Sequence, residues 1–380
     1  MAQFKCSVCG TLYPASALIW RCEKCGGEID AVGMAPLRRS DIATERSSLW
    51  RYQQALVHQG PVSVFLGEGW TPMVPGKWNG VGIDWKCDFV NVSGSFKDRG
   101  VSVMMNNLLA NGVSKVAEDS SGNGGAAVAT YAAVAGLPCR IYVPAHTSPS
   151  KITQIAATGA EVIRVPGTRQ AVADAAMEDT SGYFYATHNW HPAFLDGIKT
   201  VGYEIWEQSG FKVPDAIVAP AGGGSNLMGC LRAFRELQKA GEVDRLPRLY
   251  GGQSENCQPN ARAFETGAET FVEVETRPSI AEGIAVSRPV RSRELLAGVR
   301  ESGGGIHAVS EAAIAAAQDQ LARQGLYVEP TSATAAALLD RLIREGRIRA
   351  GEHVVVILTG SGLKAGELLT KMRAENAASR

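Results

Sequence analysis

From Trp85 onward the sequence alternates between short apolar runs and stretches with helical periodicity. The apolar runs have the length of strands and are almost unbroken, which is typical of parallel strands buried on both faces. This alternation predicts an α/β fold with parallel sheet, in which ligands bind where loops leave the carboxyl ends of strands. The predicted strands are 115–118, 139–143, 161–165, 184–186, 215–220, 248–253 and 352–359, and the predicted helices include 124–134, 192–208, 226–239, 311–323 and 331–345.

Length and charge narrow the classes of function. A chain of 380 residues is long enough for two domains and a small appendage. The formal net charge is zero, so the protein has no net positive electrostatic field to attract nucleic acid or an anionic membrane. The longest apolar runs, such as 353–358, are too short to cross a bilayer, and the N-terminus lacks the apolar core of a secretory signal. We therefore expect a cytoplasmic protein that binds neither nucleic acid nor membrane.

Four cysteines near the N-terminus form two Cys-x2-Cys pairs separated by twelve residues: Cys6, Cys9, Cys22 and Cys25. This spacing predicts a structural zinc ribbon over residues 1–30, since a segment so short needs a metal to fold. The alternatives are two disulfides or four buried thiols, and a reducing cytoplasm argues against disulfides. Few basic residues accompany the cysteines, so we expect a structural role for this segment.

Lys97 follows a Ser-Gly-Ser turn and stands at the head of an amphipathic run that ends near Gly112. The positive end of the helix dipole disfavours a second positive charge in the first turn, so its pKa should fall. A partly neutral amine is what a nucleophilic or Schiff-base lysine requires. The alternative is an ordinary surface lysine at a helix start.

Three loops at predicted strand ends carry polar or glycine-rich sequence. The loop 119–125 offers two hydroxyls, a carboxamide and backbone N–H groups at a helix start, which suits an anion, although a serine cap is the simpler alternative. The loop 219–226 contains three consecutive glycines before a helix. It lacks the spacing of dinucleotide and triphosphate motifs, so a single phosphate monoester suits it better.

The third loop, 358–364, places Thr359 at the end of the most apolar strand. Its hydroxyl is suited to bond a heterocyclic nitrogen, and a turn with a helix cap is the alternative. A Schiff-base lysine, a phosphate cup, an anion loop and a neutral hydroxyl together describe a site for pyridoxal 5′-phosphate.

The motifs 93–100, 120–123 and 358–364 resemble those of threonine synthases, within the fold-type-II (tryptophan-synthase-β-like) pyridoxal phosphate enzymes. The segments 66–72 and 280–285 are also similar to that family, some members of which carry a cysteine ribbon. The resemblance spans nearly the whole chain. It implies two three-layer domains with parallel sheets, preceded by the ribbon, and a homodimer.

The resemblance also implies domain boundaries and residue roles. A small mobile domain, 90–189, is inserted into a large cofactor-binding domain formed by 31–89 and 190–380. Lys97 binds the cofactor and acts in catalysis, Asn123 bonds the ring oxygen and Thr359 faces the pyridine nitrogen. The remaining residues implied for the site are Gly222, Gly223, Gly224, Ser225 and Asn226 for the cofactor phosphate, and Ser120 and Ser121 for the substrate carboxylate.

The implied activity is that of a carbon–oxygen lyase in amino-acid metabolism, which converts O-phosphohomoserine to threonine and phosphate. Phe194 stands where threonine synthases usually carry the arginine that binds the substrate phosphate. Lys199, Arg99, Arg288 and Lys364 are the candidates to supply the charge, and Arg99 and Lys199 are the two that we expect to bind the substrate. The alternative is β-elimination or β-replacement on a serine-, threonine- or O-phosphoserine-type amino acid. A third, from another class, is a non-catalytic, ribbon-bearing binding protein.

Overall fold

The computed structural model describes residues 2–179 and 181–378. The chain divides into two compact units. Unit 1 comprises Met1–Gly69 and Asn91–Ile198, and unit 2 comprises Trp70–Val90 and Lys199–Arg380. Within the described residues, no helix combines the length and apolar character needed to cross a membrane.

The described residues form thirteen strands in three sheets. In chain order they are β1 (Gln3–Cys6), β2 (Leu12–Pro14), β3 (Ile29–Val32), β4 (Met73–Trp78), β5 (Val81–Cys87), β6 (Val116–Glu118), β7 (Cys139–Pro144), β8 (Glu161–Val165), β9 (Phe184–Tyr185), β10 (Ala216–Pro220), β11 (Arg248–Ser254), β12 (Gly305–Val309) and β13 (Val354–Leu358).

Twelve α-helices connect or flank these strands in the described ranges. They are α1 (Lys97–Ala110), α2 (Asn123–Val134), α3 (Pro149–Ala157), α4 (Arg169–Met177), α5 (Pro192–Ile198), α6 (Thr200–Gln208), α7 (Ser225–Ala240), α8 (Pro259–Thr266), α9 (Ser292–Glu301), α10 (Glu311–Arg323), α11 (Pro330–Arg344) and α12 (Gly366–Ala378). The helix predicted at 192–208 is wrong as a single element: it is divided into α5 and α6, and the boundary between the units falls at this break.

The main sheet of unit 1 is parallel, with strand order β8-β7-β6-β9. Successive residues of a strand point to opposite faces. Ile141 of β7 lies against α2 at Gly125, whereas the next residue, Tyr142, packs in a cluster with Val172 of α4. The sheet therefore lies between two helical layers, as predicted.

The sheet of unit 2 has the order β12-β11-β10-β13-β5-β4, with β4 as an antiparallel edge and the other pairs parallel. Gly251 of β11 faces Leu227 of α7, and the adjacent Gly252 faces Thr334 of α11, so helices again cover both faces. The central strand β13 is buried at every position, which explains its continuous apolar sequence.

The N-terminal segment forms a three-stranded antiparallel sheet with order β2-β1-β3. Trp20 packs edge-on against Tyr185 and Trp190, and Phe4 against His191. Since burial lowers the pKa of His191 to about 3, its ring is a neutral packing group. The ribbon thus covers part of unit 1.

Unit 1 comprises Met1–Gly69 and Asn91–Ile198, whereas the large domain that we expect contains 31–89 and 190–380. The predicted domain boundaries stay a prediction, and the structure shows why 31–69 and 190–198 group with unit 1. The buried carboxylate of Glu68 explains the first difference, because it accepts hydrogen bonds from Trp50 Nε1 (2.7 Å) and from the hydroxyl of Tyr131 on α2 (3.0 Å). Asp196 on α5 explains the second, since its Oδ2 accepts from the N–H of Val57 at 2.6 Å. Mobility of the smaller domain stays a prediction.

Candidate active site

Lys97 is the first residue of α1, as the sequence predicts. The turn before it is held by Asp98, whose Oδ2 accepts from the Ser93 N–H at 2.8 Å and whose Oδ1 accepts from the Ser93 hydroxyl. Gly94 within the turn has φ +82°, a conformation that favours glycine. The half-buried Lys97 amine lies 4.6 Å from the centroid of the Phe96 ring.

Phe194 is buried beside the lysine, with its ring centroid 5.4 Å from Lys97 Nζ. A Cβ at Gly100 would overlap this ring, so α1 and α5 approach closely only because residue 100 is glycine. The side chain that replaces the expected arginine is therefore an uncharged packing group.

The two cations predicted for the substrate side are both buried. Arg99 lies on α1 in unit 1. Lys199 lies in unit 2 and donates to Glu236 Oε1 at 3.0 Å. The positive charge of Lys199 is thus balanced within its own unit.

The loop 119–125 leaves β6 and enters α2 at Asn123. A Cβ at Gly125 would overlap the backbone carbonyl of Ser120, so the loop folds tightly over the first turn of the helix. The Ser120 hydroxyl accepts from the Gly122 N–H at 3.3 Å. Ser120, Ser121 and Asn123 therefore come together at a helix N-terminus, where the dipole favours an anion.

A pair that the sequence analysis missed lies at the same edge of the unit 1 sheet. Glu118, the last residue of β6, is fully buried, and His188 follows the neighbouring strand β9. Glu118 Oε1 lies 2.8 Å from His188 Nδ1, and Oε2 accepts from the His188 N–H at 3.1 Å. Burial raises the pKa of Glu118 to about 7 and lowers that of His188 well below its ordinary value. The sequence signal that could have revealed this pair is Glu118 itself, a carboxylate at the end of an otherwise apolar strand.

In unit 2 the glycine loop follows β10 and leads into α7. Gly222 lies against the backbone of Ile284, and Gly224 has φ +79° and lies against Leu295. A Cβ at Gly223 would meet no atom within 4 Å, so the loop is supported from one side and open on the other. Asn226 is buried, and its Oδ1 has no hydrogen-bond partner among residues 2–179 and 181–378.

Thr359 follows β13, which pairs in parallel with β10, so this residue and the glycine loop lie at the same edge of one sheet. Its N–H donates to the Ser332 hydroxyl at 2.6 Å. Its own Oγ1 is buried and finds no partner in the described parts of the chain. A buried polar atom without a partner is costly unless a ligand satisfies it.

The structure thus brings the predicted residues together in two groups. Unit 1 carries Lys97, Ser120, Ser121 and Asn123, and unit 2 carries Thr359 and residues 222–226. Each group by itself offers functions that suit part of pyridoxal phosphate. Unit 1 has an amine for an aldehyde, and unit 2 has an open glycine turn at a helix N-terminus for a phosphate and a hydroxyl, unpaired among the described residues, for a ring nitrogen.

The four N-terminal cysteines also converge, with their Sγ atoms all within 4.8 Å of one another. Each Cys-x2-Cys pair closes a knuckle in which a glycine, Gly10 or Gly26, has φ +72° and donates to the carbonyl of the first cysteine. The Sγ separations are 3.5 Å for Cys6–Cys25 and 3.6 Å for Cys9–Cys22, which excludes a disulfide in this arrangement.

Comparison with known proteins places this geometry in context. The sequence profile of the family described as "Pyridoxal-phosphate dependent enzyme" matches residues 64–360. The threonine synthase of Methanosarcina acetivorans is 35% identical over 96% of this chain and 92% of its own length. That of Methanocaldococcus jannaschii is 33% identical over 95% of this chain and 92% of its own length.

A solved structure gives the same result for the fold. The threonine deaminase of T.th. superposes with a TM-score of 0.65 at 26% identity, covering 77% of this chain and 92% of the deaminase. The predicted resemblance to threonine synthases and the predicted fold-type-II α/β architecture are confirmed.

Proposed function

Since the chain belongs to the pyridoxal-phosphate dependent enzymes, we propose that it is a carbon–oxygen lyase that converts O-phosphohomoserine to threonine and phosphate. The observation that carries this proposal is the similarity to threonine synthases along almost the whole chain, joined to a lysine at the first turn of α1. Bound pyridoxal phosphate supplies an electron sink for the carbanion left by proton removal from an amino acid.

We assign the cofactor to residues of both groups. Lys97 holds its aldehyde, and Asn123 bonds the ring oxygen. Gly222, Gly223, Gly224, Ser225 and Asn226 hold the phosphate through backbone N–H groups and the dipole of α7. Thr359 donates to the pyridine nitrogen through its unpaired hydroxyl. A neutral hydroxyl does not keep that nitrogen protonated as a carboxylate would, which favours elimination and replacement over transamination.

On the substrate side, Ser120 and Ser121 receive the α-carboxylate at the N-terminus of α2. The free Lys97 amine is the base that takes the proton from the α-carbon. Arg99 and Lys199 are the cations we assign to the phosphate end of the substrate. Lys199 serves there only if it exchanges Glu236 for the substrate, because the two are paired at 3.0 Å.

A second candidate function is favoured by Phe194. Its buried ring leaves no charge at the position where an arginine is expected, which suits a substrate whose leaving group is a neutral hydroxyl. The enzyme would then catalyse β-elimination or β-replacement on a serine- or threonine-type amino acid. O-phosphoserine is the charged substrate of this second class.

One assay distinguishes the two functions. The holoenzyme is offered O-phosphohomoserine, threonine, serine or O-phosphoserine, and phosphate, threonine, ammonia and keto acid are followed. Phosphate together with threonine supports the first function, and ammonia together with keto acid supports the second. Lys97→Ala is the blank, and the exposed Lys77→Ala is its matched control. A Lys97→Ala protein that keeps the visible absorbance of the bound cofactor and turns over contradicts both.

For the cysteine cluster we propose structural Zn²⁺. Tetrahedral Zn–S bonds of about 2.3 Å place the sulfurs about 3.8 Å apart, close to the separations of Cys6–Cys25 and Cys9–Cys22. We expect one zinc per chain, and we expect Cys9→Ser to lose metal and lower the Tm of unit 1. Retention of zinc in a variant lacking two of the four thiols would contradict this assignment.

We further propose a cytoplasmic homodimer. Four reduced thiols suit a reducing compartment, and the dimer follows from the family resemblance alone. Light scattering of the holoenzyme measures the oligomeric state, and cell fractionation measures the compartment. A monomeric holoenzyme, or protein recovered only outside the cytoplasm, would contradict the respective proposal.

A further inference from the structure

Glu118 and His188 form a carboxyl–imidazole pair at the C-terminal ends of the parallel strands in the unit 1 sheet. Glu118 binds both the ring and the backbone of His188, at 2.8 Å and 3.1 Å. These two contacts join residues that are 70 positions apart in the sequence, and they fix the orientation of the ring. When Glu118 is ionised, its carboxylate accepts a hydrogen bond from Nδ1, which places the proton of the neutral imidazole on Nδ1.

The imidazole lies beside the elements that carry Asn123 and Lys97. A Cβ at Gly124, the second residue of α2, would meet His188 Nδ1 at 2.7 Å, so this turn admits the ring only because residue 124 is glycine. The ring centroid of His188 lies 5.8 Å from that of Phe194, which in turn lies 5.4 Å from Lys97 Nζ. Phe194 therefore contacts both the lysine and the histidine.

Burial distinguishes the two members of the pair. The Glu118 side chain is 0% exposed, whereas that of His188 keeps 11%. The charged or titratable groups of unit 1 that act on the pair are Lys97 of α1, Asp119, Cys139 of β7, Arg169 of α4 and Tyr185 of β9. Asp119 is itself bound to the Tyr185 hydroxyl at 2.7 Å and to Arg169 at 3.3 Å.

The ionisation of this pair falls within the working range of most enzymes. Burial raises the pKa of Glu118 to about 7, opposed by the His188 N–H and by the charges of Arg169 and Lys97. Burial and the Lys97 charge keep the pKa of His188 well below its ordinary value. The pair is consequently neutral below about pH 7 and gains one negative charge above it, while the imidazole stays uncharged.

We propose that Glu118 and His188 are positioning residues of the active site, and that the ionisation of Glu118 controls the protonation of the Lys97 nitrogen in the holoenzyme. This inference rests on the proposed function, because it requires Lys97 to carry the cofactor. When Glu118 is ionised, its negative charge favours the protonated form of the Lys97 nitrogen. When Glu118 is protonated and neutral, the unprotonated form of that nitrogen is favoured.

The test is a pH titration of the visible absorbance of the holoenzyme. Glu118→Gln keeps the shape of the side chain and removes its charge, so the absorbance midpoint should fall by roughly one pH unit. Glu161→Gln, the same change on the exposed side chain of β8, is the matched control and should leave the midpoint unchanged. Equal midpoints for Glu118→Gln and the unmodified enzyme would overturn the proposal.

A second measurement needs no variant. Nitrogen NMR of the imidazoles should show His188 neutral between about pH 5 and 8, and protonated at Nδ1 above about pH 7, where Glu118 is a carboxylate. A His188 that titrates at its ordinary pKa overturns the proposal even if Glu118→Gln fails to fold. An unmodified protein that gains no visible absorbance with pyridoxal phosphate refutes the proposed function instead, so the two failures are distinguishable.

Discussion

The loop after β6 and the loop after β10 have the same plan, a parallel strand followed by a glycine-containing turn and a helix, yet their surroundings differ. Around the first loop are titratable groups with partners: Glu118 and Asp119 are buried, and His188 is half-buried. Around the second are glycines and two neutral side chains, Asn226 and Thr359, each with an oxygen that lacks a partner in the described chain. The groups around the first loop are suited to proton transfer. Those around the second are suited to holding a ligand with backbone dipoles.

One supersecondary arrangement therefore supplies two kinds of chemistry. Charged groups tolerate burial only when they are paired, and the acidic side chains behind the loop of unit 1 are already bound by the protein itself. The loop's own Ser120 and Ser121 are the groups that we assign to the substrate carboxylate. A buried neutral donor or acceptor without a hydrogen bond costs less free energy than an unpaired charge. The loop of unit 2 can therefore fold with such groups unpaired until a ligand binds them. Four substitutions test this contrast, in order of decreasing expected effect.

The largest effect is expected for Gly125→Ala. The added methyl would overlap the Ser120 carbonyl, so the loop after β6 must shift. We expect unit 1 to lose roughly 2–4 kcal/mol of stability and turnover to fall by about 100-fold, because the substrate carboxylate would be misplaced. Thermal unfolding and steady-state kinetics measure the two effects.

The control for this substitution is Gly112→Ala at the end of α1, where a Cβ meets nothing and only the φ of +83° opposes the change. It should cost stability but not catalysis. Normal turnover in a folded Gly125→Ala enzyme would show that the geometry of this loop is not needed.

The second prediction concerns the pH dependence of stability. Burial raises the pKa of Glu118 from 4.5 to about 7, so the folded protein holds a proton that the unfolded chain releases between these values. The resulting stabilisation is complete below about pH 4.5 and is lost as pH rises through 7. His188 acts in the opposite sense, since its lowered pKa contributes stability that is lost as pH falls.

Glu118→Gln isolates the first of these contributions. Relative to the unmodified protein, its free energy of unfolding should rise by up to about 3 kcal/mol between about pH 4.5 and 7. The Tm measured across this range, with Glu161→Gln as control, tests the sign. A difference that shrinks as pH increases would mean that Glu118 is stabilised as a carboxylate.

These expectations show which parts of the molecule the sequence predicts. The strand 161–165 and the helix 311–323 have the predicted ends, because a short cluster of β-branched residues and a serine cap are local signals. The hairpin of β4 and β5 was missed even though Asn79 and Gly80 both have positive φ in its turn, an arrangement that Asn-Gly favours.

The sequence indicated the candidate ligand-binding residues of unit 2 but missed a pair of residues in unit 1. Thr359 and the glycine loop could be proposed from the sequence because their residue types and strand-end positions indicate a ligand. The pairing of Glu118 with His188 could not, since it joins residues 70 positions apart and depends on two neighbouring strands ending at one edge. Sequence patterns locate strand ends but do not say which of them meet.

Gly223→Ala is expected to act on the ligand and hardly on the fold. The new methyl meets no protein atom within 4 Å and therefore fills the open side of the loop. We expect an unchanged Tm without cofactor and an affinity for pyridoxal phosphate reduced roughly 10- to 100-fold. Gly224→Ala, strained by its φ of +79° and by Leu295, is the contrasting variant that should lower the Tm directly. Unchanged cofactor affinity in Gly223→Ala would place the phosphate elsewhere.

The smallest effect is expected for Thr359→Val, which replaces the unpaired hydroxyl by a methyl of similar size. Because Oγ1 has no partner in the described residues, the protein without cofactor should be as stable as before or slightly more stable. The affinity for pyridoxal phosphate should fall about tenfold, the worth of one hydrogen bond.

The matched control is Thr334→Val on α11, since Thr334 is also buried but its hydroxyl already donates to the Pro330 carbonyl at 3.2 Å. Thr334→Val should lower the Tm and leave cofactor affinity unchanged, the reverse of Thr359→Val. If both variants lower the Tm and neither changes the affinity, the Thr359 hydroxyl is a structural group. The contrast between the hydrogen-bonded side chains around the loop of unit 1 and the groups open to a ligand around the loop of unit 2 would then fail at Thr359.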